Sequence, residues 1–470
     1  MDNRYKLLIK DTLIFALGSL GSKLILFFLV PLYTNYLTAA EYGIADLVTT
    51  VSQLLIPISS LVINNAVIRF GMMHGEKPED VLATSFVVLG FSALVVGASL
   101  PFMGMYEPIA QWRGYLAAQV MLANISEVER TYLKVKGKNK AFSLISILQT
   151  AVLACMNIVL LTIRNAGISG YLVSNIVATA STTIAAFFVG GVLSDLRRGK
   201  LDYGLLRRMV SYSGPLILSN VSWWVVNSSD KIMIEWLLSA SLLGVYTAAS
   251  KIPSLINVII AIFNQAWGIS TIREIESCDE TAFYGKVFAL FTTLLFGACL
   301  LFIALLRPFM EVYVGHAFVD AWKYASFLLV AAVFYSVSAF IGSLYSAFQK
   351  TTNDMWTTML CAAVNLGVNY VAIPRIGLWG AVLGTLAAYF TCATVRLLDI
   401  SRFVNLGEKW GYFANGVLAT VQAAAVSFEW HPLALSLLVI VVYFILNHYQ
   451  LHMLIATVIK SIKPNHHQSY

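Results

Sequence analysis

The sequence predicts an all-α polytopic membrane protein. About 14 transmembrane helices are expected, as two parallel six-helix bundles related by a pseudo-two-fold axis plus two extra C-terminal helices. Three observations predict this. Of 470 residues, 59% are hydrophobic and 12% charged, against roughly a quarter charged in an average globular chain, and mean hydropathy is +0.76. Apolar stretches long enough for a spanning helix, about 20 residues, recur from Leu13 to Leu446. Matching segments also recur in the same order in the two halves.

In chain order, spans are expected near 12–36, 43–67, 81–104, 109–130, 141–163, 167–192, 209–237, 242–269, 284–306, 321–347, 354–373, 377–397, 411–428 and 431–448. The run after Lys10 is too long for a signal h-region, and Pro31-Leu32-Tyr33 is not a small-residue cleavage site, so the first stretch reads as a span. Glu127, Glu129 and Arg130 crowd the end of the fourth, and Trp430-His431-Pro432 reads as a break between the last two.

The formal net charge is +7. On a soluble chain that points to nucleic acid. Here the basic residues sit in short loops, where the positive-inside rule explains them, and no nucleic-acid partner is expected. One side collects Arg4, Lys6 and Lys10, the cluster Lys134, Lys136, Lys138 and Lys140, and the group from Arg197 to Arg208. The other holds Arg113, Arg164, Arg307, Lys323 and Arg375. This bias is expected to place both termini in the cytoplasm. The longest external connection runs from about Arg307 to Asp320, too short for a catalytic domain. The five cysteines show no metal or disulfide spacing. There is no Walker A or GxSxG sequence, so neither an enzyme nor a cofactor is expected.

The repeat rests on three matches. Leu37-Thr38-Ala39 followed by Gly43-Ile44 resembles Leu238-Ser239-Ala240 followed by Gly244-Val245, at an offset of 201. Tyr132 before Lys136-Gly137-Lys138-Asn139 aligns with Tyr345 before Gln349-Lys350-Thr351-Thr352, and Gly167-Ile168-Ser169-Gly170 with Gly377-Leu378-Trp379-Gly380. Six spans per copy leave both halves in the same orientation, a transporter architecture. The expected division is 1–200, 201–402 and 403–470.

Ionisable side chains within a span are costly and face a cavity or a partner. Lys23 sits among Gly18, Ser19, Gly21 and Ser22, where small residues permit close approach. Lys251 lies two residues before Pro253, which should kink its helix. Asp46 is either the partner of Lys23 or a first-turn acid favoured by the helix dipole. Asp230 and Lys231 share a helix with Glu235, and a surface pair between Lys231 and Glu235 is one reading. Arg69 ends the second span, placed there by the positive-inside rule or to guide an anion. Asn64, Asn227, Asn264 and Gln265 either hydrogen-bond between helices or line a wet, sugar-binding path.

The stretch from Leu13 to Lys23, with Val30-Pro31-Leu32-Tyr33-Thr34 and Glu41-Tyr42-Gly43-Ile44-Ala45-Asp46-Leu47, resembles the opening of Wzx-type polysaccharide repeat-unit flippases in the MATE-like (MOP) exporter superfamily. Ile373-Pro374-Arg375-Ile376-Gly377-Leu378-Trp379-Gly380-Ala381 resembles a hairpin of that family's C-terminal half, and Gly244 to Lys251 its eighth helix. The resemblance implies two bundles around a central cavity that opens alternately to each side. It implies an undecaprenyl-diphosphate-linked oligosaccharide as cargo, for O-antigen or capsular polysaccharide assembly, with membrane lipids around the tail. A polysaccharide polymerase, a chain-length regulator and a coupling proton or sodium are partners of such systems. Lys23 and Lys251 match positions where these flippases place cavity cations, and a lysine is a compact point charge for phosphate. The sequence departs from the family in having few further cavity cations. A cation-coupled drug exporter is the first alternative, disfavoured because deep lysines outweigh deep acids. A peptidoglycan-precursor flippase is the second. A membrane glycan polymerase or ligase lacks the external loops it would need.

Overall fold

The computed structural model describes residues 21, 23–73, 75–254, 256, 280–348, 350–406 and 409–452. Regular structure among them is helical throughout: α1 (Lys23–Tyr36), then α2 (Ala39–Ser60), α3 (Ile63–Gly71), α4 (Pro78–Met103), α5 (Glu107–Ala110), α6 (Arg113–Val135), α7 (Asn139–Asn157), α8 (Gly167–Gly190), α9 (Val192–Arg198), α10 (Tyr203–Leu237) and α11 (Ala240–Lys251). After these come α12 (Glu280–Tyr313), α13 (Ala321–Ala347), α14 (Thr351–Ile376), α15 (Leu378–Ile400), α16 (Trp410–Ser427) and α17 (Pro432–Leu446). Among the described residues, 8 helices are long and apolar enough to cross a membrane, and α1 and α17 are shorter apolar helices. The protein is a multi-pass all-α membrane protein.

Local sequence explains the boundaries. Thr38 caps α2, accepting from the Glu41 amide while the Glu41 carboxylate accepts from the Thr38 amide, a capping box that satisfies two orphan donors. Pro78 opens α4, with Glu79 and Asp80 in its first turn, where they complement the helix dipole. Gly191 closes α8 at φ +67°, a left-handed conformation that costs glycine little. The break expected at Trp430-His431-Pro432 is present, with Pro432 as the first residue of α17.

Among the described residues, one expected span is broken in two. The segment read as a single helix over 43–67 is two, because Leu61 and Val62 both adopt left-handed φ, 54° and 52°, between α2 and α3. Leu61 and Val62 are themselves apolar and neither is glycine or proline, while Pro57, Ser59-Ser60 and Asn64-Asn65 flank the point.

The chain forms two compact units. In the unit running to Lys251, with Val314–Phe318 and Ile373–Gly377 added, α2 packs on α11, α10 and α6, and α8 on α6 and α7. Its core gathers Ile63, Val67, Val81, Leu82, Val128 and Met209. Tyr132 donates to Asp195 Oδ2 at 2.8 Å, and Lys136 Nζ meets the same oxygen at 2.5 Å. Burial alone would raise the Asp195 carboxyl. The hydrogen bonds from Lys136 and Tyr132 and the Lys136 charge outweigh it and hold the group below the usual carboxylate range.

In the other unit, α13 packs on α15, and α16 on α12, α13 and α17. Arg396, 1% exposed, donates to Thr357 Oγ1, Ser338 O, Thr358 Oγ1 and Asp354 O, and pairs with the Asp354 carboxylate at 2.5 Å. Tyr345 donates to Asp399 Oδ2 at 2.7 Å. Each unit thus has a tyrosine from the repeat match, Tyr132 or Tyr345, bonded to an aspartate. The Asn415 and Asn447 amides exchange hydrogen bonds at 3.0 and 2.9 Å, tying α16 to the end of α17.

Candidate functional site

The site is built where α2 meets α11. A Cβ on Gly43 would stand 2.1 Å from the Ala240 carbonyl oxygen, and one on Gly244 1.9 Å from that of Ala39. Backbone touches backbone there, so both positions require glycine. One turn further along, Thr247 donates to Asp46 Oδ2 at 3.2 Å. Lys231 Nζ, from α10, lies 2.8 Å from the same oxygen, and Lys251 Nζ lies 3.6 Å from Asp46 Oδ1. The side chains of Asp46, Lys231 and Lys251 are 5%, 15% and 35% exposed. Three helices are therefore joined through one buried carboxylate, and Trp224 adds a bond from Nε1 to Thr50 O at 2.9 Å.

Asp230 lies beside this group, buried, accepting from the Tyr246 hydroxyl and from the Lys231 amide at 2.9 Å. Opposite charges inside low-dielectric surroundings hold each other strongly, and an anion reaching either lysine competes with Asp46 for it. The arrangement suits binding and conformational locking.

The expected residues divide clearly. Asp46, Lys231 and Lys251 come together with Asp230 at their side. Lys231 meets Asp46 instead of pairing with Glu235 on its own helix surface, because α2 brings it a buried acid. Lys23 is exposed on α1 and pairs with no acid among the described residues. Arg69 is exposed on α3, its guanidinium 4.2 Å from the Tyr212 ring centroid. Asn227, also exposed, donates to Trp223 O at 2.7 Å on its own helix. Asn64 lines a polar cavity of about 370 Å3 beside the α2–α3 break. Asn264 and Gln265 lie outside the described residues. Thr247 and Tyr246 were not foreseen. Extending the match at offset 201 by two positions pairs Asp46 with Thr247 and points to the first.

Solved structures share this fold. The lipid II flippase MurJ, in an inward closed conformation, matches with a TM-score of 0.71 at 11% identity, covering 93% of this chain and 99% of that one. A MATE transporter in complex with MaL6 matches at 0.59 and 14% identity, covering 89% and 96%. A MOP superfamily transporter from Pyrococcus furiosus matches at 0.53 and 13% identity, covering 89% and 96%. A protein of the Lsg locus of Haemophilus influenzae is 20% identical over 260 residues, 55% of this chain. The match spans 64% of that relative's own length.

The fold defines a polytopic all-α membrane protein, built like the solved structures above. Residues 8–267, more than half of the sequence, match the family described as polysaccharide biosynthesis protein, and the chain belongs to that family.

Proposed function

We propose that the protein is a flippase that carries undecaprenyl-diphosphate-linked oligosaccharide units across the bacterial inner membrane by alternating access, for assembly of O-antigen or a capsular or extracellular polysaccharide. Both termini lie in the cytoplasm, and the moving parts are bundles divided near residues 200 and 402. Lys251 and Lys23 take the diphosphate, with Lys231 held on Asp46 beside Lys251 and Arg69 guiding the anion. A proton or sodium gradient supplies the coupling ion, and polymerase and chain-length regulator take the product.

The observation that carries this reading is the pair of partly buried lysines on the buried Asp46 in a chain of the polysaccharide biosynthesis family. Partly desolvated cations suit an anionic lipid headgroup and oppose a cationic drug. The fold shared with MurJ is compatible with a lipid-linked cargo.

The test is complementation in a strain lacking its O-antigen flippase, supplied with a panel of repeat-unit pathways. Surface polymer should appear with the wild type and fall at least about tenfold in Lys251→Ala at equal protein level. Polymer restored equally by Lys23→Ala and Lys251→Ala removes the lysine assignment and keeps the flippase. Absence of polymer throughout the panel, with new resistance to cationic dyes, gives the protein to the drug exporters.

A further inference from the structure

We infer that the polar cavity beside the α2–α3 break is a binding subsite for a neutral sugar residue, an inference that rests on the flippase reading above. The cavity is about 370 Å3, at the small end of the roughly 300–1,000 Å3 typical of small-molecule sites. The consecutive left-handed residues Leu61 and Val62 interrupt the helix between α2 and α3, and Val62 itself is on the cavity wall. A β-branched residue in that conformation is strained, so the surrounding packing holds the break in place.

The lining identifies the ligand class. Gln53, Asn64, Asn65, Asn124, Asn220 and Glu127 face the cavity, and none of its lining residues is cationic. Among the described residues, the side chains of Gln53, Asn64 and Asn65 make no hydrogen bond. Asn124, 2% exposed, spends its amide donors on Ser59 at 2.9 Å and Ser92 at 2.8 Å, and its Oδ1 is left without a partner. A primary amide offers two donors and an acceptor, and a sugar hydroxyl both donates and accepts. Amides converging from α2, α3, α6 and α10 therefore match a ring bearing several hydroxyls. Ile56 and Pro57 give an apolar wall that suits the C–H face of a pyranose. The Glu127 carboxylate accepts from a hydroxyl and repels a carboxylate, so a uronic acid is excluded while a neutral hexose or N-acetylhexosamine is admitted.

The test uses the full chain in lipid nanodiscs and saturation-transfer NMR with glucose, galactose, N-acetylglucosamine and N-acetylgalactosamine, and glucuronate as the anionic comparison. At least one neutral sugar should give saturable transfer, with affinity about tenfold lower in Asn64→Leu and Gln53→Leu, and glucuronate should give none until Glu127→Gln is made. If Asn64→Leu fails to elute as a single species, Asn220→Leu carries the test, since Asn220 is exposed and donates to Leu216 of its own helix. Absence of transfer from every neutral sugar, equal transfer from glucuronate, or unchanged affinity in the folded variants each overturns the subsite. Surface polymer in the complementation assay reads the flippase separately. Polymer with no sugar binding sinks the subsite alone, and sugar binding with no polymer sinks the flippase alone.

Discussion

Removing the Asp46 carboxylate should destabilise the protein far more than removing it together with Lys231. At 2.8 Å and an effective dielectric constant near 20, the attraction between Lys231 and Asp46 is about 6 kcal/mol. Lys251, at 3.6 Å, adds about 5 kcal/mol by the same rule, but its 35% exposure lets solvent screen much of that. Desolvating the carboxylate consumes several kcal/mol of the total. What matters in Asp46→Ala is the Lys231 ammonium left 15% exposed without its ion-pair partner, a loss of about 3 kcal/mol, the lower end for a broken buried pair because Asp230 stays beside it. Asp46→Asn keeps an oxygen for Lys231 and Thr247 and should cost about 1–2 kcal/mol. Asp46→Leu combined with Lys231→Met replaces the pair by apolar volume and should recover about 2 kcal/mol relative to Asp46→Ala. The assay is reversible unfolding in mixed micelles followed by tryptophan fluorescence, read as a double-mutant cycle on the purified chain. Single losses that add to within about 0.5 kcal/mol would mean the two groups do not interact, and the lock described between α2, α10 and α11 would be withdrawn.

Gly244→Ala places a Cβ 1.9 Å from the Ala39 carbonyl oxygen, so it should either cost about 2–3 kcal/mol or spread the α2–α11 crossing, seen as faster maleimide labelling of a cysteine placed at the buried Ala248. Arg396→Leu leaves the Asp354 carboxylate and the Ser338 carbonyl without their donor and should cost about 3–5 kcal/mol by the same unfolding assay, with Arg396→Lys recovering only part because it cannot reproduce the guanidinium fork. The lowered Asp195 carboxyl stabilises the fold above the unfolded carboxylate value of about 3.9, and that stability is lost as pH falls through the lower folded value. Acid titration of unfolding should therefore be shallower in Asp195→Asn, and Tyr132→Phe should lie between that variant and the wild type.

Much of the architecture was legible because a bilayer leaves so few options. Apolar length, the charge bias and turn residues such as Pro432 located the helices. Lys251, Lys231 and Asp46 stood out singly, since each is an ionisable group where burial is costly. Their grouping did not, because α10 and α11 are covalent neighbours while α2 is nearly two hundred residues away. The break at Leu61–Val62 stayed hidden for a different reason: these are ordinary apolar residues held in an unusual conformation by their surroundings. Gln53 and Asn124 escaped notice because a single amide in a helix is common, and only three-dimensional convergence makes several of them a site. Arg396 lies within the span expected at 377–397, and the structure buries it, where its three guanidinium nitrogens find acceptors that no linear spacing reveals.

The contact between Asp46 and Thr247 joins residues 201 positions apart, the spacing that also relates Gly43 to Gly244. A residue that meets its own counterpart is the hallmark of an isologous homodimer interface. Between two identical chains related by such an axis, an acid at this place would face another acid, and a threonine another threonine. The two sides of this contact differ in sequence and escape that restriction, so a single carboxylate flanked by cations from one side stands at a place where strict symmetry would forbid it.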